Sequence, residues 1–340
     1  MKIEALGEFG LIERIRGLAA VTDPALILGI GDDAAAIRPT PGRLLLATCD
    51  TVVEGRHFLR NRITPEQLGR RLAAVNLSDI GSMGGQPRWA LVSLALPAET
   101  EVEFVEGFYR GLIAELARFG AAVAGGNLTG GAEFVLDMTL LGEVLPEQIL
   151  RRDGARPGDA ILVSGSLGAA AAGRAALDAG LHDPDVAPLV AAHLTPEPRV
   201  VAGQAIAQSG LARAMLDVSD GLAQDLGHLC DASRVGAIIE VARLPISKAT
   251  RSIAARLGLD PLRLALSGGE DYELVLTVPT RRAAELASRI EAGAGLPLAR
   301  IGRVVPDAEG RTLRWPDGRR EPLAAAGWQH FAPHPKRSDG

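Results

Sequence analysis

Two hydrophobic periods alternate along the chain. Runs of apolar residues at Leu44–Cys49, Trp89–Leu96, Ala121–Ala124 and Phe134–Val144 read as strands, the first of them a buried one. Between them the spacing becomes helical. Thr64-Pro65-Glu66-Gln67 is a capping box with proline at the first helical position, and it predicts a helix running toward Met83. Leu72, Val75 and Asp79 share one face of that helix, with Asn76 beside Asp79. Thr100-Glu101-Val102-Glu103 reads as a second capping box. It opens a helix whose stripe is Val102, Val105, Tyr109, Leu112, Leu116 and Phe119.

A charged, turn-rich stretch at 151–159 predicts a boundary, dividing the chain into residues 1–150 and 151–331. Beyond it come a strand at Ala160–Ser164 and an alanine-rich helix opened by Gly165-Ser166-Leu167-Gly168. A loop containing Pro184, Pro188, Pro196 and Pro198 leads to a helix from about Arg199. Strands follow at Ala214–Leu216, Ala237–Val241, Tyr272–Val278 and Leu298–Val304, and a helix follows Gly221. Residues 332–340 read as a disordered tail. Both halves are therefore expected to be mixed α/β units of similar length, with no heptad array or internal repeat.

Composition narrows the function. The 340 residues carry a net charge of −5, so the basic footprint of a nucleic-acid binder is missing. The longest apolar run, near Ala90–Leu96, is far short of the roughly 20 residues that span a bilayer, and Glu4 and Glu8 fall among the first eight positions where a signal peptide is apolar. Cys49 and Cys230 are the two cysteines, far apart, which excludes a disulfide scaffold and fits a reducing cytoplasm. Lysine occurs only at Lys2, Lys248 and Lys336, so phosphate recognition must fall to arginine, backbone N–H groups or metal.

Carboxylates gather beside glycines: Asp32 and Asp33 after Gly29-Ile30-Gly31, Asp217 and Asp220 before Gly221, Glu270 and Asp271 after Gly268-Gly269, with Asp50 and Asp79 at a strand end and on a helix. Any one of them could be a turn or cap residue. Five acid-bearing segments together point to hard cations, because carboxylates brought close repel unless neutralised, and Mg²⁺ bridges carboxylates to nucleotide phosphates. Gly29-Ile30-Gly31-Asp32-Asp33-Ala34 matches a dinucleotide fingerprint, but Pro39 and Pro41 follow where a helix should begin and the two acids would repel a pyrophosphate. A P-loop, HExxH and GxSxG are all absent. His57 is a substrate-contact candidate through its nearness to Asp50, although a lone histidine is more often structural. Trp89 and Trp328 read as packing residues, the latter able to stack on an aromatic ligand.

Several segments, in order, resemble thiamine-monophosphate kinases: Gly7-Glu8-Phe9, Gly29–Ala34, Asp50-Thr51-Val52-Val53-Glu54-Gly55-Arg56-His57-Phe58, Ala74–Ile80, Gly154–Asp159, Asp217–Leu222, Gly268–Leu274 and Gly327-Trp328-Gln329-His330-Phe331. The resemblance implies transfer of the γ-phosphoryl group of ATP to thiamine monophosphate, with several Mg²⁺ ions. It also implies an N-terminal ATP- and Mg²⁺-binding α/β domain that forms a homodimer through its sheet, and a C-terminal α/β domain. By position, Asp33, Thr48, Cys49, Asp50, Asp79, Asn127, Asp217 and Asp220 are implied metal ligands. Gly126, Asn127, Arg152 and Ser219 are implied nucleotide contacts, and His57, Glu270 and Trp328 substrate contacts. No side chain is implied as general base, since the nucleophile is already a phosphate oxygen.

Three positions depart from the family pattern. Asn127 stands where aspartate is usual, Gly130 where arginine is usual, and Cys49 where threonine is common. A thiol is a poor Mg²⁺ ligand, which leaves the Cys49 carbonyl. These departures motivate a second reading, a nucleotide-binding paralogue without catalysis. A third is another ATP-using enzyme of the wider superfamily. A selenophosphate synthetase would want a reactive cysteine before Cys49, and the hydrogenase-maturation enzyme would end in cysteine.

Overall fold

The computed structural model describes residues 1–324. The chain opens with helices α1 (Ile3–Leu6) and α2 (Glu8–Leu18) and a small ribbon of β1 (Leu26–Leu28) and β2 (Ala36–Ile37). A first sheet follows, made of β3 (Leu44–Val53), β4 (Gln86–Leu96), β5 (Ala122–Gly130) and β6 (Val135–Val144) in the order β3-β6-β4-β5. Helices α3 (Pro65–Ser82) and α4 (Val102–Ala117) cover one of its faces. Val92, Leu94, Leu136, Met138 and Leu140 alternate onto that face and are at most 1% exposed.

The other face is left half-open. Leu91, Ser93, Asp137, Thr139 and Leu141 point there and are half-buried, and Leu44 and Leu45 of the edge strand are 43% and 51% exposed. The expectation of a buried strand at 44–49 therefore fails. That strand sits at a sheet edge and buries only one side.

The second sheet takes β7 (Asp159–Ser164), β8 (Ala214–Val218), β9 (Val235–Glu240), β10 (Glu273–Pro279), β11 (Leu298–Pro306), β12 (Arg311–Arg314) and β13 (Arg320–Pro322) in the order β13-β12-β9-β11-β7-β10-β8. Helices α5 (Ala169–Asp178), α6 (Ala187–Leu194), α7 (Val200–Ser209), α8 (Leu222–Ser233), α9 (Lys248–Arg256), α10 (Pro261–Ser267) and α11 (Ala283–Ala294) surround it. Every residue of β7 is buried: Ile161 and Val163 meet α8 and α10, while Ala160 and Leu162 meet α7 and α11. A strand covered on both faces reads as a continuous apolar run, as this one does.

The Thr64 capping box forms, with both reciprocal bonds in place. The Thr100 box does not: Glu101, not Thr100, is the N-cap of α4, and no side chain caps it. The N-terminal segment has engaged its acid instead, the Met1 amino group donating to Glu103 Oε2 at 3.1 Å. Within the proline loop lies α6, with Pro188 in its first turn. Helix α3 packs on both sheets' helices. A Cβ at Gly203 of α7 would lie 2.0 Å from the Gly81 carbonyl of α3, so only glycine allows that approach.

Candidate active site

Three aspartates converge where α3 meets the two sheets. Asp50 stands on β3, Asp79 on α3 and Asp217 at the end of β8. Each sits where its element forces it. Asp50 follows Thr48 on the helix-facing side of β3, Asp79 is two turns beyond Arg71, and Asp217 ends a fully buried strand. Thr48 donates its hydroxyl to Asp79, and Ser78 donates to Asp217 Oδ2 at 2.6 Å. Burial, reinforced by Asp79 and Asp217, pushes the Asp50 carboxyl up to about 7. Burial and then Asp79 push Asp217 up to about 7. Asp79 is raised by burial too, partly opposed by the Thr48 hydroxyl, Asp50 and Arg152.

A cleft opens beside this trio, lined also by Arg56, His57, Arg71, Arg174, Ser219, Asp220, Glu270 and Tyr272 among others. Its far end turns into a chamber behind His57. His57 accepts the Val53 backbone N–H on Nδ1 at 3.1 Å. Glu270 is held between the buried Arg71 guanidinium and His193, whose Nδ1 lies 3.2 Å from it. Burial alone would raise Glu270, but Arg71 and His193 outweigh it and hold the carboxyl at about 2. Its loop folds back on β8, Glu270 N–H donating to the Ser219 carbonyl at 2.7 Å and Tyr272 N–H to Val218 at 2.9 Å. Glu270 and Tyr272 both take positive φ, 61° and 50°, strain that clusters at functional sites.

The geometry brings together Thr48, Asp50, Asp79, Asp217, Ser219, Asp220, His57 and Glu270. Arg152 is near enough to lower Asp79 and Asp217. Other expected residues stand apart within one chain. Asp33 is exposed between β1 and β2 and does not line the cleft. Cys49 turns its thiol to the open face of the sheet, 3.5 Å from Asp137. Asn127 lies on the opposite edge strand, in a row across that open face with Ser93, Asp137 and Thr51. Three strand spacings place it roughly 14 Å from β3. Gly126 has a packing reason of its own: a Cβ there would lie 1.9 Å from the Val92 carbonyl. Trp89 is buried and donates to Asp23 at 2.9 Å, a packing residue as expected. Trp328 lies outside the described residues.

Arg71, Arg174, His193, Tyr272 and Asp225 were not anticipated. Asp225 accepts the Asp220 and Gly221 backbone N–H groups at 3.0 Å, and with Asp220 and His228 brings ligand atoms within 4.8 Å of one another. Arg71 and Asp225 have the i, i+4 surroundings of surface charges, so only tertiary packing reveals them. The doubled glycine before Glu270 was the one local signal for the strained loop.

Residues 31–144 match the family model AIR synthase related protein, N-terminal domain, and residues 156–313 match AIR synthase related protein, C-terminal domain. Sheets, helices and cleft thus define a protein of the AIR synthase-related class. Thiamine-monophosphate kinase of Aquifex aeolicus (strain VF5) is 37% identical over 333 residues, covering 97% of this chain and 100% of the relative. The crystal structure of thiamine-monophosphate kinase from Stenotrophomonas maltophilia K279a superposes with a TM-score of 0.81 at 37% identity, over 92% of this chain and 97% of that one. AaThiL complexed with AMPPCP and TMP gives a TM-score of 0.76 at 36% identity, over 97% and 99%. The chain belongs to the thiamine-monophosphate kinase family.

Proposed function

We propose that this chain phosphorylates thiamine monophosphate at the cleft between its two sheets, with ATP as donor. The observation that carries this is the buried Asp50–Asp79–Asp217 cluster opening into the same cleft as His57 and Glu270. An oxygen of the acceptor phosphate attacks the γ-phosphorus, a new P–O–P bridge forms, the β–γ bridge breaks, and ADP leaves. No proton has to be removed from the nucleophile, so the work is positioning and charge neutralisation.

The donor set suits Mg²⁺. It is all oxygen, from Thr48, Asp50, Asp79 and Asp217, and it is too crowded with carboxylates to stay fully ionised alone. Mg²⁺ held there supplies the counter-charge to the phosphate oxygens. Ser219 and Arg152 border the nucleotide's side, and His57 and Glu270 the acceptor's. The N-terminal unit, residues 1–150, supplies Asp50 and Asp79, and the C-terminal unit supplies Asp217 and Glu270. The open sheet face and its exposed Leu45 support a homodimer through that sheet, and a partner across the face is what would engage Asn127. Among the described residues no helix is long and apolar enough to cross a membrane, and a biosynthetic kinase of this kind belongs in the cytoplasm.

The test is incubation with ATP, Mg²⁺ and thiamine monophosphate, reading thiamine diphosphate by chromatography, with free thiamine as control. Diphosphate from the monophosphate alone is expected. ATP binding without product would favour the non-catalytic paralogue that Asn127 and Gly130 suggest.

A further inference from the structure

Two arginines of the cleft have no part in the chemistry laid out so far. Arg56, in the turn after β3, and Arg174, on α5, line both the main cleft and the chamber behind His57. They reach in from opposite halves of the chain. Neither is committed elsewhere. Arg56 forms no ion pair among the described residues. Arg174 has Asp178 one turn away at 4.0 Å, both side chains nearly half exposed, a pair of little energetic consequence. Their neighbours differ: Arg71 is bound to Glu270 and to the His193 carbonyl, and Arg62 to Asp178.

The cleft is electrically polarised. Its chamber end carries Arg56, Arg62, Arg71 and Arg174 against only Asp178 and Glu270. Its other end carries Asp50, Asp79, Asp217 and Asp220. Arg71, Val75 and Asp79 all line it at i, i+4 and i+8 of α3, which sets the two ends about 12 Å apart. At the chamber end an anion meets an excess of arginine without any metal to supply the counter-charge. Guanidinium is the group that meets phosphate oxygens bidentately, and among the described residues no lysine lines either space.

We propose that Arg56 and Arg174 form a two-armed clamp for the phosphate of a phosphomonoester acceptor, and that this clamp separates thiamine monophosphate from free thiamine. The inference rests on the function proposed above. Because both arginines reach the main cleft, a phosphate between them still faces the donor held at the carboxylate end. Free thiamine, ending in a hydroxyl, gains nothing from the clamp.

The experiment is calorimetric titration of thiamine monophosphate and of free thiamine into the full-length protein with Mg²⁺ and a non-hydrolysable ATP analogue. It compares wild type, Arg56→Gln, Arg174→Gln, the double variant and Arg174→Lys. Each glutamine variant should weaken monophosphate binding about 10-fold and the double variant about 100-fold, as loss of charge-assisted hydrogen bonds predicts. Free-thiamine affinity should hold within about 2-fold, and lysine should recover part of the loss because it restores charge but not the fork. In turnover, KM for the monophosphate should rise while KM for ATP stays. Equal losses for both ligands, or no loss for either, overturn the clamp. If wild type makes diphosphate and the double variant binds monophosphate as tightly, the clamp falls and the function stands. If wild type neither binds nor phosphorylates the monophosphate, the function falls and the clamp falls with it.

Discussion

Arg71 is 2% exposed, and its charge is tolerable only because Glu270 sits against it. The sign of the linkage follows from Glu270, whose carboxyl is held at about 2, below its ordinary 4.5. Its stabilising contribution is complete above about pH 4.5 and is lost as pH falls toward 2. Arg71→Met should cost about 3 kcal/mol near neutrality, since it leaves a carboxylate without its partner. It should also flatten the fall of the thermal midpoint across that acid range; scanning calorimetry at a series of pH values reads both. Asp217 makes the opposite case. Buried among like charges, it costs the unliganded fold stability. Asp217→Asn should raise the melting temperature measured in EDTA and lower turnover at least about 100-fold, as expected where several kcal/mol come from metal assistance. Asp217 could be picked out in the sequence because acid and glycine are neighbours there. Arg71 could not, because its partner Glu270 is 199 residues away.

At the level of elements, a capping box is a local contract that tertiary packing can cancel. Thr64 keeps its bonds, so Thr64→Ala should destabilise by about 1 kcal/mol in denaturant titration. Thr100 has no cap to lose, since α4 begins without a side-chain cap and Glu103 is taken by the Met1 amino group. The same contrast explains why α6 was hidden. Prolines that usually punctuate a loop here serve as its first-turn residue. The covered strand β7 was legible as an apolar run, β3 was legible as a strand but not as one with an open face, and the short, charged β12 and β13 were not legible at all. The contact of Gly203 with Gly81 ties α7 to α3 and thereby fixes Asp79 against Asp217. Gly203→Val should cost about 3 kcal/mol or more through overpacking. It should lower turnover beyond what unfolding explains, because a displacement of about 1 Å is costly to a positioned reaction. Comparing circular dichroism melts with rates below the transition separates the two.

For the molecule as a whole, the half-open sheet is the feature with most to say about assembly. A face bearing Leu45, Leu91 and Leu141 calls for a partner, and the copy proposed above should give sedimentation at twice the chain mass. Leu45→Asp together with Leu141→Asp should yield a folded monomer by the same measurement, because a charge on a buried patch is strongly disfavoured. Both sheets contribute to one cleft, and a single rod passes through the arrangement. Helix α3 carries Arg71 at one end of the cleft, against Glu270 of the other half of the chain, and Asp79 at the other end, beside Asp217 of that half. A helix is also a counting device. One residue inserted between them would swing everything downstream by about 100° and advance it about 1.5 Å. Whichever end stayed seated, the other would be aimed at the wrong wall. This stretch should therefore tolerate exchange of side chains far better than any change of length, and variants that add or drop a residue there should fold yet leave the cleft's two ends out of phase.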